Sequence, residues 1–559
     1  MELKKLPLSD ESFREIIEGN YLYADKTKYI HTMINKFKCC FLARPRRFGK
    51  TLLVDTIEEV FLGNRELFDG LWISTDSDYA FDRFPVLRLN MAYTKLSIRA
   101  DLEARIESDL REAAETEELS ISDDSYGEML GQFLRGVKRK YGVGTVVLID
   151  EYDAPVTRHM SNRKLASDNR DVLHDFYTSI KKNLKYIRFA LVTGITRFTM
   201  TALDSGQNNI KDISLMSDYS EICGFTLSEL DMLFSDRFEN TLKSLKKRKI
   251  IAWNAKSKEL IAEMKRWYGG YSWLGSNRVF NPYSILNFFD QNNFDDYWTE
   301  LGVPSHLACL VRENPLEFIQ PSLGSYTSIK LLKIELSELD VVPVMFHSGY
   351  LTLDAQVLKD VEVDDKIEKV DAFTFRIPNL EIRLNYRAAI FKEAFDPEKR
   401  YFSLFSRNIP KALLESDSAE VARLVGYILA SINFFQHQES EGYYHSIICT
   451  AFIAAGIDVM SETSGSHGRP DMAVSLKGRV RVVIELKYRH AGKTDDDEDP
   501  AVKVIATKDL DSALDDAESQ IRSGKYGESL MAISDRVICL ALAIRGRTQV
   551  AARFVTPLE

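Results

Sequence analysis

The stretch "ARPRRFGKT" at residues 43 to 51 closes as a phosphate-binding loop closes, on Gly49, Lys50 and Thr51. In the pattern G-x-x-x-x-G-K-[ST], backbone N–H groups at a helix start cradle phosphate oxygens. The lysine reaches the β- and γ-phosphates, and the hydroxyl ligates Mg²⁺. Arg44 stands where that pattern has its first glycine, and Pro45 follows it. The change removes a permissive turn and one donor, but Arg46, Arg47, Phe48, Gly49, Lys50 and Thr51 keep their N–H groups. With Leu52 they form the expected nucleotide-binding set. Gly49 keeps its conformational freedom where backbone meets phosphate, Pro45 presets a φ angle, and three arginines add positive charge. The loop is altered rather than broken. Taken alone, Gly-Lys-Thr after a strand is equally an ordinary strand-to-helix turn.

A second set of residues points to the same chemistry. "VVLIDEYD" is an apolar run ending in adjacent acids, the Walker B form, with Asp150 expected to hold Mg²⁺ through water and Glu151 to polarise the attacking water. Adjacent carboxylates at a buried strand end are costly without a charge partner. "VTGITRF" puts Thr193, Thr196 and Arg197 where a γ-phosphate sensor would sit; a strand-end salt bridge is the alternative for Arg197.

Far along the chain, "GRPDMAVSLKGRVRVVIELKY" carries Asp471 just after a proline and Glu485 and Lys487 two apart on a strand. Period-two spacing sends both side chains to one face. Two carboxylates from neighbouring strands make a hard oxygen site for Mg²⁺, and a lysine beside them orients water and offsets phosphate charge. That is the constellation of phosphodiester hydrolysis. An ion pair across a strand face, with a turn at Asp471, is the alternative.

The elements that must position these groups follow from apolar patterning. "CCFLARP", "FPVLRLNM", "TVVLIDEYD" and "IRFALVTGI" are continuous apolar runs, expected as buried parallel strands of an α/β sheet. Leu52, Leu53, Ile57 and Phe61 have helical spacing after the loop. The chain has 559 residues, and about 100 to 200 residues per domain suggests three or four domains. The expected boundaries are a P-loop core over 1–225, a helical lid over 226–335, a mixed α/β connector of winged-helix type over 336–404, and a second α/β unit over 405–559. In that last unit "GRVRVVIELKY" is the clearest strand, and a helix is expected near 509 to 523.

A formal net charge of −10 argues against a chain coated in nucleic acid by bulk electrostatics, though a local basic groove is compatible with it. Six cysteines without CxxC or metal-ligand spacing predict reduced thiols in a cytoplasmic protein. "MELKKLPLSDESF" lacks the apolar core of a signal peptide. The longest apolar runs span about eight residues where a membrane helix needs about 20, so no membrane partner is expected. "LKKRKI" at 245 to 250 reads as a solvated helix face, with phosphate contact as the alternative. The aromatics of "WYGGYSW" at 267 to 273 read as domain-junction packing, with base stacking as the alternative. His306, His347 and His467 show no ligand spacing.

"YLYADKTKYI", "RPRRFGKT", "LIDEYDAP" and "VTGITRF", in this order, resemble the AAA-ATPase-like family of prokaryotic P-loop proteins, in which Arg-Pro-Arg-Arg-Phe-Gly-Lys is the usual loop. "WYGGYSW", "VFNPYSILNFF" and "YWTELG" resemble that family's helical region. The pattern around Asp471, Glu485 and Lys487 resembles the PD-(D/E)XK nuclease superfamily, in the branch that follows this ATPase. The resemblance implies a restriction-endonuclease-like fold, with Glu441 as the helix acid, His445 one turn later, Glu462 as an extra ligand and Gln520 as the helix glutamine. The acidic insert "KTDDDEDPAVKVIAT" (493 to 507), between strand and helix, departs from it and would repel DNA if it lay over the groove. The function so implied is an ATP-binding and hydrolysing module coupled to a Mg²⁺-dependent nuclease, acting in defence or DNA processing, with DNA favoured over RNA. A nucleotide-dependent switch that grips nucleic acid without cutting is the alternative, and a scaffold with vestigial sites is the third reading.

Overall fold

A computed structural model describes residues 3–9, 11–93, 96–122, 124–196, 210–274, 277–298, 307, 325–332, 340–363, 366–384, 386, 400–430, 440–460, 470–476, 480–491, 500–524 and 534–556. The chain divides into two compact units, Met1–Leu310 with Ser322–Asn385 and Val311–Pro321 with Tyr386–Glu559.

The first unit is built on a parallel five-stranded sheet in the order β2-β3-β4-β1-β5. Its strands are β1 (Cys39–Ala43), β2 (Val86–Asn90), β3 (Thr145–Asp150), β4 (Ile187–Gly194) and β5 (Lys211–Asp212). β1 and β3 are buried along their whole length, as an apolar run between helical layers demands. β2 departs from the expectation of a buried strand: it lies at the sheet edge, so Leu87 and Leu89 are buried while Arg88 is half-exposed and pairs with Asp55 and Glu58. The helix Lys50–Leu62 leaves β1 through the loop and buries Leu53, Val54, Ile57, Val60 and Phe61 on the sheet. Gly63, at φ 79°, caps it in the left-handed conformation that glycine adopts without cost.

The lid helices Leu227–Lys247, Ser257–Tyr268 and Pro282–Gln291 close around one core that includes Phe234, Phe238, Leu260, Met264, Phe288 and Phe289. Local signals start them: Thr226 and Glu229 form a reciprocal capping box, and Asn281 caps a helix that opens on proline. The helix Val341–His347 and a long hairpin of β7 (Thr352–Val363) and β8 (Lys366–Arg376), extended by β6 (Tyr326–Thr327), complete the unit.

Glu381 lies fully buried between this last segment and the lid. Its Oε2 accepts from the Ser284 hydroxyl at 2.8 Å, and its Oε1 accepts from the N–H groups of Tyr297 and Trp298 at 3.0 and 3.1 Å. Burial outweighs these donors and pushes its pKa from 4.5 up to about 8. The folded chain thus holds a proton that the unfolded chain releases. From this group, stability should be full below about pH 4.5 and fall as pH rises towards 8. Glu381→Gln should flatten that slope by up to a few kcal/mol, read from thermal unfolding across this pH range.

The second unit holds a mixed sheet in the order β13-β12-β11-β10-β9. Its strands are β9 (Asp458–Met460), β10 (Met472–Leu476), β11 (Val480–Arg489), β12 (Arg536–Arg545) and β13 (Gln549–Val555). β11 and β12 are parallel, and β10 runs antiparallel to β11. The helix Pro500–Gly524 lies between β11 and β12 in the chain, as a parallel pair requires. It packs Ala513, Leu514, Ala517 and Ile521 against Ala473, Val483, Cys539, Ala541 and Ala543, small residues that allow a close approach. Because this helix begins at Pro500, residues 500–507 of the acidic insert are helical rather than loop. Its remainder, with Asp495, Asp496 and Asp497, lies outside the described residues.

Candidate nucleotide and nuclease-like sites

In the first unit, β1 delivers the loop and the helix Lys50–Leu62 receives it. Gly49 is the N-cap at φ 85° and Arg47 sits at φ 65°, so the turn uses two left-handed residues. A Cβ on Gly49 would meet nothing within 4 Å, and glycine is needed there for its φ rather than for room. Lys50 is buried and donates to the carbonyls of Arg44 and Pro45, each at 3.0 Å. Burial lowers its pKa against the pull of Asp150 and Asp153. Thr51 Oγ1 donates to Asp150 Oδ2 at 2.7 Å, and the Thr193 hydroxyl donates to the other oxygen. A buried ammonium, a hydroxyl touching a buried carboxylate, and N–H groups at a helix start form a donor set that fits a nucleotide triphosphate with Mg²⁺.

Glu151 follows Asp150 at φ 49° and is partly exposed, with Arg158 Nη2 at 3.1 Å from Oε2. Asp153 has a structural task that its sequence position did not announce. Its carboxylate accepts from Ile195 N at 3.1 Å and Thr196 N at 2.8 Å, tying the end of β3 to the end of β4, and burial pushes its pKa up to about 6. Gly194 permits this contact, because a Cβ there would lie 2.5 Å from the Tyr152 ring and 2.6 Å from Asp153 Oδ1. Thr196 is held through its backbone in the same link, and Arg197 lies outside the described residues.

Arg44 turns away from the loop it begins. It is 1% exposed, donates to the carbonyls of Ala43, Ser214 and Tyr219 at 2.8 to 2.9 Å, and stacks 4.4 Å from the Trp273 ring. It therefore braces β1 against the segment after β5. Restoring the glycine of the common loop, Arg44→Gly, should strip the guanidinium donors from the Ala43, Ser214 and Tyr219 carbonyls, leaving Tyr219 O only its bond from Ile222 N, and lower stability by about 3 kcal/mol, measured by chemical denaturation. Phe48 also departs from a simple nucleotide contact. Its ring is buried 4.8 Å from Tyr271 and 5.1 Å from Trp273, so its side chain is taken up by packing against that segment. The "WYGGYSW" aromatics pack this junction: Tyr268, Tyr271 and Trp273 are buried, and Trp267 stacks on Phe294. Asp25 and Lys26 had no assigned role. Asp25 receives the N–H groups of Thr27 and Trp72, while Lys26 reaches Glu229 of the lid at 2.6 Å. The signal was present as a charged pair inside the apolar "YLYADKTKYI".

In the second unit Glu441, Asp471, Glu485 and Lys487 meet. Asp471 enters β10, Glu485 and Lys487 share one face of β11, and Glu441 opens the helix Glu441–Ala454. Lys487 Nζ lies 3.4 Å from Glu441 and 3.5 Å from Glu485. Leu486 N donates to Asp471 Oδ2 at 2.9 Å, Tyr488 N to Glu441 Oε2 at 3.2 Å, and Asp471 N to Glu485 Oε2 at 3.3 Å. His445 Nε2 donates to the Asp471 carbonyl and so positions that strand start. Glu485 is fully buried; burial first and the Asp471 charge second raise its pKa. Burial opposes the Lys487 charge, but Asp471, Glu485 and Glu441 together raise its pKa.

Among the described residues no three acids, histidines or cysteines converge as a ready metal cage. The carboxylates instead accept from backbone N–H groups and from Lys487. Glu441 and Glu485 lie against the one ammonium and Asp471 N bonds Glu485, so acids outnumber the cation here, and the Asp471 and Glu485 oxygens are of the kind a hard divalent cation takes. Gln520 is half-buried on the helix packed over this sheet, and among the described residues its side chain makes no hydrogen bond to the cluster. Glu462 lies outside the described residues.

Residues 7–204 match the family model described as "Predicted AAA-ATPase", and residues 439–554 match that of the PD-(D/E)XK nuclease superfamily. The "Uncharacterized protein in vnfD 5'region" of Azotobacter chroococcum mcd 1 is 32% identical over 498 residues, 87% of this chain and 90% of that one. Solved structures of Drosophila ORC with Cdc6, bound to GC-rich or AT-rich DNA, align over 50% of this chain at 13% identity. They cover 90% and 91% of those chains, with TM-scores of 0.17 and 0.18, at which the likeness carries no argument. No described helix is long and apolar enough to cross a membrane. On its two matched domains and a relative 32% identical across 87% of it, the chain belongs to the AAA-ATPase-like family of P-loop proteins, in the branch carrying a PD-(D/E)XK nuclease superfamily domain.

Proposed function

We propose that the first unit binds and hydrolyses ATP with Mg²⁺ and that this cycle licenses a Mg²⁺-dependent nuclease in the second unit, acting on DNA in defence or DNA processing. The observation that carries the reading is the meeting of Glu441, Asp471, Glu485 and Lys487 where β10 begins beside the second half of β11.

In the first unit, the N–H groups from Arg46 to Leu52 would bind phosphate oxygens, and Lys50 would exchange its two loop carbonyls for the β- and γ-phosphates. Thr51 and Asp150 would hold the ion, and Glu151, partly exposed beside Arg158, would accept the proton of the attacking water. In the second unit, Asp471 and Glu485 would hold the ion, while Lys487 would orient the attacking water and offset charge on the phosphate. When bound, Mg²⁺ would polarise the phosphoryl oxygens and lower the pKa of a water. Glu441 would position Lys487 through their 3.4 Å contact.

A cleavage assay on single- and double-stranded DNA and RNA, with and without ATP, Mg²⁺ and Mn²⁺, tests the reading. Metal-dependent cutting that responds to ATP supports it. Nucleotide-dependent binding without cutting under every condition replaces it with the binding switch.

A further inference from the structure

The lid helix Leu227–Lys247 runs into a turn within "KSLKKRKIIAWNAKSK" (243 to 258), which carries seven lysines and arginines and no acid, in a chain of net charge −10. The turn is firmly held. Arg248 N donates to Ser244 O at 3.2 Å, Ile250 N to Leu245 O at 3.0 Å and Ala255 N to Ala252 O at 3.0 Å. Lys249 takes the left-handed conformation at φ 58°. Leu245 and Ala255 are buried in the lid core and Ile251 packs against it. From this anchored turn Trp253 projects 85% exposed, beside Ile250 at 44%. Trp273 and Trp298, by contrast, are 4% exposed.

The ordinary explanation of such lysines is that cations suit a helix C-terminus. It covers Lys246 and Lys247, which end the first helix. It fails for Lys256 and Lys258, which stand at the N-cap and second position of Ser257–Tyr268, the end where the helix dipole disfavours positive charge. Lys243 is engaged by Glu239 at 2.6 Å, and Glu259 caps the N–H of Lys256 at 2.9 Å. Lys247, Arg248, Lys249, Lys256 and Lys258 are all exposed. Hydration of a displayed indole is also unfavourable, since it is a side chain that gains most by burial.

We propose that this turn is a docking surface for single-stranded nucleic acid, with unpaired bases stacking on Trp253 and the flanking cations holding phosphates. A duplex covers its base faces, so an isolated indole selects unpaired bases, and the cations around it supply the backbone term. An anionic membrane surface shares the charge but needs a broad apolar face. Both flanking helices bury most of theirs in the lid core, leaving one indole and one isoleucine exposed at the turn itself, with Leu227 and Met232 exposed only in the first two turns of the first helix, at its far end. The proposal concerns the ATPase unit and holds whether or not the second unit cuts.

The test is fluorescence anisotropy of the full chain with a labelled thymine oligonucleotide, in deoxy and ribo forms, with EDTA to suppress metal-dependent cleavage. Trp253→Ala should weaken binding by roughly tenfold, and Trp253→Phe should keep most of it. The triple reversal Lys247→Glu, Arg248→Glu, Lys249→Glu should weaken binding further and flatten its dependence on salt. Melting temperature and ATP hydrolysis without nucleic acid should stay at the level of the unsubstituted chain. A loss in either sugar arm supports the proposal and identifies the sugar. Unchanged affinity in Trp253→Ala and in the triple reversal, or no binding by the unsubstituted chain, overturns it. So does loss of binding to phosphatidylserine vesicles with oligonucleotide affinity kept. Trp253-dependent binding by a chain that never cuts would support this surface while sinking the nuclease reading.

Discussion

Alanine at Asp471 or at Glu485 should lower metal-dependent cleavage by roughly 10³-fold or more, about 4 kcal/mol of transition-state stabilisation, while ATP hydrolysis by the first unit continues. Each change removes an oxygen donor from a set in which Glu485 is fully buried and Asp471 is aligned by Leu486 N at 2.9 Å. Divalent-ion binding, read by calorimetry, should weaken in the same variants. Lys487→Ala should also abolish cleavage but keep the ion, because its ammonium, 3.5 Å from Glu485, offers no lone pair to a metal. Losing Lys487 leaves Glu485 buried without its cation, so a thermal melt must accompany the assay. If all three variants fold and cut as fast as the unsubstituted chain, the cluster is a structural ion network and the chemistry lies elsewhere.

The second large effect is expected at the loop. Lys50→Ala should weaken ATP binding by roughly 10²-fold, about 3 kcal/mol, the scale of a charge-assisted contact to phosphate. Glu151→Gln should bind ATP normally and lose hydrolysis by roughly 10²- to 10⁴-fold, the usual worth of a general base. The two variants separate binding from chemistry because Lys50 is buried beneath the loop whereas Glu151 stands beside Arg158. Normal ATP affinity in Lys50→Ala, measured by titration, would remove the nucleotide site from this loop.

Local periodicity was enough for much of the architecture. Runs such as "TVVLIDEYD" and "IRFALVTGI" are apolar on both faces, and only a strand covered on both sides buries them, so β3 and β4 could be placed with their acids and threonines at one end. The same logic misjudged β2, since an apolar run does not say whether a second strand will flank it, and Arg88 was the residue that belonged to an edge. Period two likewise set Glu485 and Lys487 on one face of β11 before any partner was known.

What lies beyond those patterns depends on residues distant in the chain. Arg44 reads as a positive charge beside a phosphate until the carbonyls of Ser214 and Tyr219 close on its guanidinium from the far side of β5. Phe48 reads as a loop residue until Tyr271 and Trp273 bury its ring. Glu381 carries no signal in the sequence, and only the folded lid brings Ser284, Tyr297 and Trp298 around it. Trp253 carries no signal in the sequence, and only the fold leaves it 85% exposed. Sequence by itself determined which residue types stand at which strand and helix positions, because spacing of 2 or 3.6 residues is a local property of the backbone. Tertiary structure alone decided which charges are buried, which carbonyls they satisfy and which aromatic remains exposed, because desolvation depends on whatever the rest of the chain packs against each group.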